Sequence, residues 1–142
     1  MGTKEEYNDN EKYEIKHWDW KAQTRIGEII TRINRIRQQN TALQSTWNIE
    51  LAETSNDQVM CYVKTDTRTR NTIIVAVNLD VFNTQGAHIK IPFEKLGITE
   101  PANYVVSDML SGEKYRWHNE WNYVQLNPYH MPAHILKVEN IQ

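Results

Sequence analysis

The chain has 142 residues, of which 24% are charged and 39% hydrophobic, and its formal net charge is −2. That length suits one domain with a full core better than two. A near-neutral chain offers no electrostatic reason to expect nucleic acid or a membrane surface as a partner. The first 42 residues hold eight basic and seven acidic side chains and the rest eight and eleven, so neither part is strongly charged. The single cysteine, Cys61, excludes an internal disulfide and any metal site built from several thiolates. It sits in an apolar segment and reads as a buried, inert thiol. There is no run of about 18 apolar residues, and the polar, acidic start lacks a signal-peptide pattern. A cytoplasmic location is therefore expected.

Residues 1–20 are hydrophilic and then abruptly aromatic, with Tyr7, Tyr13, Trp18 and Trp20. No period fits them, and a loop that packs on another surface is expected. From Ala22 the spacing turns helical: Ala22, Ile26, Ile29, Ile30, Ile33 and Ile36 fall on one face. Arg25, Glu28, Arg32 and Arg35 line the opposite one, close enough to pair. The helix is expected to fade at Gln39–Thr41. Its stripe is nearly all isoleucine and needs a broad hydrophobic cover, which the sandwich or a second copy of the chain would supply.

After Ala42 the period becomes two. Strands are expected at Trp47–Leu51, Gln58–Thr65, Thr72–Leu79, Gly86–Ile91, Ala102–Met109, Glu113–His118, Trp121–Leu126 and Ala133–Glu139. Turn residues separate them: Ser55-Asn56-Asp57, Thr67 to Arg70, Asn83 to Gly86, Ser111-Gly112 and Asn127-Pro128. Pro92 to Leu96 followed by Gly97 reads as one helical turn between strands. Ile73–Val77, an unbroken apolar and mostly β-branched run, suits a strand buried on both faces. Eight short strands at this spacing mean a mainly β, antiparallel sandwich.

The residues hold no complete catalytic set. The acidic pairs Glu5/Glu6 and Glu11/Glu14 read as solvated loop charge rather than an acid and base, and Asp108 as a turn cap. His130 and His134 have the i, i+4 spacing of a helical metal pair, but Pro132 between them opposes a helix and no third ligand is near. No metal or cofactor is expected, and neither a glycine-rich phosphate loop nor a Gly-x-Ser-x-Gly elbow occurs. Trp117, Trp121 and Tyr123 bunch in the last third. Packing is their ordinary role, and a platform for sugar rings is the functional alternative.

Several segments together resemble one family. They are Glu11-Lys12-Tyr13-Glu14-Ile15, His17-Trp18-Asp19, Ile33-Asn34-Arg35-Ile36-Arg37, Asn40 and Ala42-Leu43-Gln44. Later come Asn78-Leu79-Asp80, Leu96-Gly97, Tyr104 to Gly112, Tyr115-Arg116-Trp117, Asn122 to Leu126 and Pro132 to Leu136. In this order they resemble the end of the catalytic barrel and the C-terminal domain of the alpha-1,4-glucan:maltose-1-phosphate maltosyltransferases, in the alpha-amylase superfamily. Thr41 departs from the family, where proline is frequent.

The resemblance implies a C-terminal fragment. Residues 1–42 would be the remnant of a (β/α)8 barrel, a loop plus its last helix, and 43–142 an eight-stranded Greek-key sandwich that stabilises the barrel. The three catalytic carboxylates would lie upstream of Met1, so the fragment alone is expected to be inactive. Lys12 and Tyr13 match the family's Lys-Tyr pair against the donor's maltosyl unit. The implied partners are the missing barrel and, for the parent, maltose 1-phosphate, an α-1,4-glucan in glycogen biosynthesis and a second protomer. The alternative is a carbohydrate-binding sandwich module of another glycoside hydrolase of the superfamily.

Overall fold

The computed structural model describes residues 20–99 and 101–139. The chain divides into two compact units, Met1–Arg35 and Ile36–Gln142. Helix α1, Trp20–Gln39, starts two residues before the expected Ala22 and ends at Gln39, where it is expected to fade. Along it Ile30 and Ile33 are exposed, whereas Ile36 is buried. The expected loop before Trp20 lies outside the described residues.

The second unit is built from strands. They are β1 (Ile49–Leu51), β2 (Glu53–Thr54), β3 (Val59–Asp66), β4 (Asn71–Asn78), β5 (Gln85–Lys90), β6 (Asn103–Asp108), β7 (Lys114–His118), β8 (Trp121–Leu126) and β9 (Ala133–Glu139). Among the described residues nine strands replace the expected eight. The extra one, β2, is two residues long and exists only through its antiparallel pairing of Glu53 with Lys90 and Thr54 with Ile89 on β5. Such a strand is too short to show a period of its own. All pairings are antiparallel, in a six-stranded sheet ordered β1-β3-β4-β9-β6-β7 and a three-stranded sheet ordered β2-β5-β8.

The main core lies between the sheets. β3 contributes Val59, Cys61 and Val63, β4 Ile74 and Ala76, and β9 Leu136 and Val138. The small sheet answers with Ala87, Ile89, Val124 and Leu126. Each of these sits at every second position of its strand, so the period of two in the sequence is the inward face of the sandwich. Burial pushes the Cys61 thiol up to about 12, so at neutral pH it stays protonated. At pH 8 a thiol reagent should modify the folded chain roughly a thousandfold more slowly than the chain in denaturant. Equal rates, followed by absorbance of the released reporter, would contradict this burial.

β4 is buried on both faces, as its apolar run requires. Ile74 and Ala76 face the main core, and Ile73 and Val75 face a second, smaller cluster with Ala42. Ala42 belongs to a single 3-10 turn, Thr41–Gln44, laid on the outer side of the six-stranded sheet. Two asparagines fasten it. Asn40 Nδ2 donates to the Ile36 carbonyl at 2.8 Å, Asn71 Nδ2 donates to Asn40 Oδ1 at 3.0 Å, and Asn71 Oδ1 accepts the Ala42 N–H at 2.9 Å. The end of the helix is thereby tied to the start of β4, and a buried Asn40 has its polar atoms matched.

Two turns show how local chemistry places the strands. The helical turn Phe93–Leu96, α2, ends at Gly97, whose φ of 71° is left-handed. The N–H groups of Gly97 and Ile98 return to the carbonyls of Glu94 and Phe93, closing a Schellman motif whose Phe93 and Ile98 pack in the core. The turn expected at Asn83–Gly86 lies instead around Asp80, whose carboxylate accepts from Phe82 N, Asn83 N, Asn83 Nδ2 and Gln85 Nε2. These bonds hold Asp80 down to about 2, the Phe82 N–H contributing most. Gly86 therefore sits inside β5 rather than in a turn.

Candidate functional site

A cleft of about 470 Å3 lies where β7 and β8, the edge strands of the two sheets, meet. β7 supplies Tyr115 and Trp117, which alternate with outward-facing Lys114, Arg116 and His118. β9 supplies His134 and Leu136 by the same rule, and β8 supplies Tyr123, Val124 and Gln125. Ser111 and Glu113 from the β6–β7 turn and His130 and Met131 from the β8–β9 loop close the ends. Among the described residues the lining carries no Lys or Arg.

One wall is held by a buried polar cluster. Asp108, 1% exposed, ends β6, and its Oδ2 lies 2.8 Å from His134 Nδ1 on the paired strand β9. Ser111 Oγ donates to the same Oδ2 at 3.0 Å, and the Leu110 N–H donates to Oδ1 at 3.0 Å. Burial alone pushes this carboxyl up, but the bonds from His134, Leu110 and Ser111 outweigh it and hold the group below its usual range. Gly112, at a φ of 85°, lets the turn close with its N–H on the Asp108 carbonyl. The turn-capping role expected for Asp108 is present, and a histidine clamp is added to it. His134 is thus occupied by a carboxylate 26 residues away, and its ring is edge-on to Tyr115. Tyr115 donates its O–H to Glu113 Oε1 at 2.9 Å. Burial first, and the Glu113 carboxylate second, push its phenol up to about 12.

The other wall is exposed. Tyr123 is 52% accessible, with its ring 5.2 Å from that of His88 on β5. Its position depends on Gly86: a Cβ there would come within 2.0 Å of Tyr123 Oη. The glycine is a shelf for the ring, which explains its place inside a strand.

The three aromatics read from the sequence as a sugar platform part company. Trp117 turns inward, 6% exposed, with its ring edge-on to Tyr104, and also lines the cleft. Tyr123 lines the cleft from the opposite sheet. Trp121, 42% exposed, is outside the lining. Lys12 and Tyr13 lie outside the described residues. Among the described residues no group of three or more His, Cys, Asp or Glu is placed to hold a metal ion, and no helix is long and apolar enough to cross a membrane. Sequence reading missed Tyr115 as a neighbour of His130 and His134. The available signal was alternation, which puts Tyr115 and Trp117 on one side of β7 and His134 and Leu136 on one side of β9.

Two antiparallel sheets packed around one core make the second unit a β-sandwich domain. The chain belongs to the family described as "GLGE, C-terminal", whose model matches residues 51–138, more than half of its length. It is 45% identical over 141 residues to the alpha-1,4-glucan:maltose-1-phosphate maltosyltransferase of Chlorobaculum tepidum, covering 95% of this chain and 21% of that protein. The protein of the same name from Methylacidiphilum infernorum is 39% identical over 135 residues, covering 95% of this chain and 20% of the relative. The chain thus spans about one fifth of the length of the curated relatives it matches. Among solved structures a maltogenic alpha-amylase from Thermotoga neapolitana superposes with a TM-score of 0.58 at 11% identity, over 78% of this chain and 24% of that one. That likeness is one of fold.

Proposed function

We propose that this chain is the closing, non-catalytic part of a glucan-building maltosyltransferase. In this reading residues 1–42 complete the catalytic barrel and residues 43–142 form a sandwich that buttresses it. The parent would transfer maltosyl units from maltose 1-phosphate to an α-1,4-glucan with retention, through a covalent glycosyl-enzyme on carboxylates outside this chain. Lys12 and Tyr13 would contact the donor, and the parent would act as a cytoplasmic homodimer in glycogen synthesis. The names and coverage of the relatives support the reading.

The observation that carries the buttress role is the outer face of the six-stranded sheet. The 3-10 turn that follows α1 lands there, against Ile73 and Val75. Beside it Ile49, Leu51 and Met60 stay exposed, and β1–β3 pairing puts Ile49 and Leu51 next to Lys64 and Tyr62. Exposed apolar residues in one patch on a sheet face mark a surface made for burial. In this reading the barrel of the parent would cover that face.

Co-expression with the missing part of the parent tests this. The expected result is maltosyl transfer from maltose 1-phosphate by the reconstituted pair and none by this chain alone. Leu51→Glu with Met60→Glu should abolish reconstitution while leaving the melting temperature of the isolated chain unchanged. Lys12→Ala in the pair should raise KM for maltose 1-phosphate. Turnover by the isolated chain would overturn the assignment.

A further inference from the structure

We infer that the cleft between β7 and β8 is a carbohydrate site, which holds an uncharged stretch of α-1,4-glucan. The inference rests on the maltosyltransferase reading for the identity of the glucan, and on the cleft itself for everything else. Its volume, about 470 Å3, lies within the range of roughly 300–1,000 Å3 typical of small-molecule sites. Among the described residues its lining lacks Lys and Arg, so these residues offer phosphates and other anions no counter-charge. What remains is aromatic and aliphatic surface with hydrogen-bonding groups.

A pyranose has two kinds of surface, an apolar C–H face and a rim of hydroxyls. Tyr123 offers an exposed ring for the first. Glu113, Gln125 and His130 offer polar groups for the second. The opposite wall is preorganised: Tyr115 is bonded to Glu113, and His134 is clamped by the buried Asp108. A wall of this kind loses little freedom when a ligand docks.

Gly86 separates this site from incidental packing. An alanine would stabilise an ordinary strand position, but here its Cβ would displace the Tyr123 ring. The atom displaced is the far end of a half-exposed side chain, so folding should tolerate the change while the cleft wall moves.

The test is a titration of the isotope-labelled 142-residue chain with maltoheptaose, followed by amide and Trp indole resonances, with cellohexaose in parallel. Expected are saturable shifts at Tyr115, Trp117, Tyr123 and His130, and none with cellohexaose. Tyr123→Ala and Gly86→Ala should each weaken binding by roughly tenfold or more while thermal unfolding stays cooperative. Trp47→Ala, at an exposed position outside the cleft, should leave binding unchanged. Shifts confined to Trp121 or Trp47, no shifts at millimolar sugar, or equal binding of cellohexaose would each overturn the inference. Those outcomes are distinct from failure of the parent reading, which is decided by maltosyl transfer in the reconstituted enzyme. Transfer without cleft shifts removes this site alone.

Discussion

Ile74→Asp is expected to leave the chain unfolded at neutral pH, with no cooperative transition by circular dichroism. Ile74 is completely buried at the centre of the main core, and a carboxylate there would have neither water nor a partner. The cost of several kcal/mol is comparable to the roughly 5–15 kcal/mol that holds an ordinary domain together. Val75→Asp should have the same outcome from the opposite face, since Val75 packs with Ile73 and Ala42 under the 3-10 turn. Truncation separates the two faces. Ile74→Ala leaves a cavity in the main core and should cost about 3–4 kcal/mol. Val75→Ala removes a smaller side chain beside a movable cover and should cost about 1–2 kcal/mol. Urea denaturation measures both. Equal costs would mean that the 3-10 turn is as rigid a cover as the second sheet.

Asp108→Ala is the second large effect. It strips the acceptor from His134 Nδ1, Ser111 Oγ and the Leu110 N–H at once. A buried polar group left without its partner carries its full desolvation penalty, and loss of about 3–5 kcal/mol is expected. Asp108→Asn keeps one acceptor oxygen and should cost less. The pH dependence has a definite sign. The folded-state pKa of Asp108 is held below the ordinary value of 3.8. Its contribution is therefore fully present above that value and is lost as pH falls through the lower folded one. Asp80, held down to about 2, acts in the same direction. Stability measured in urea should be flat from neutral pH down to about 4 and then decline. The decline should be shallower in Asp108→Asn. An identical acid slope in that variant would show that the clamp does not carry the linkage.

Both effects also bear on the proposed sugar site. The Asp108 clamp fixes one wall of the cleft, and β4 carries the sheet from which that wall is built. Damage to either should weaken glucan binding only through the fold, whereas Gly86→Ala and Tyr123→Ala act on the opposite wall directly.

Much of the architecture was legible in the residues. Strands β8 and β9 lie at the expected bounds, Trp121–Leu126 and Ala133–Glu139, because alternation there is clean and turn residues flank both. The run Ile73–Val77 demanded two buried faces and has them. Gly97 and Gly112 occupy left-handed positions where a turn was expected. The Lys12–Tyr13 pair stood out only through family resemblance and lies outside the described residues.

What the chain determined by itself is each residue's side: a period of two assigns every strand residue inward or outward, and Pro, Gly and Asn mark where a strand must stop. It could not determine which strands become neighbours, since that depends on pairings between distant segments. Two residues such as Glu53 and Thr54 carry no period, so β2 emerged only from its partner β5. Asp108 and His134 were visible separately as a turn cap and one member of a histidine pair, and only β6–β9 pairing made them a clamp. Trp117, Trp121 and Tyr123 are close in sequence, yet the first belongs to one sheet and the other two to the second. The cleft lies where β7 meets β8, with Trp117 on one strand and Tyr123 on the other, and that meeting required the whole sandwich.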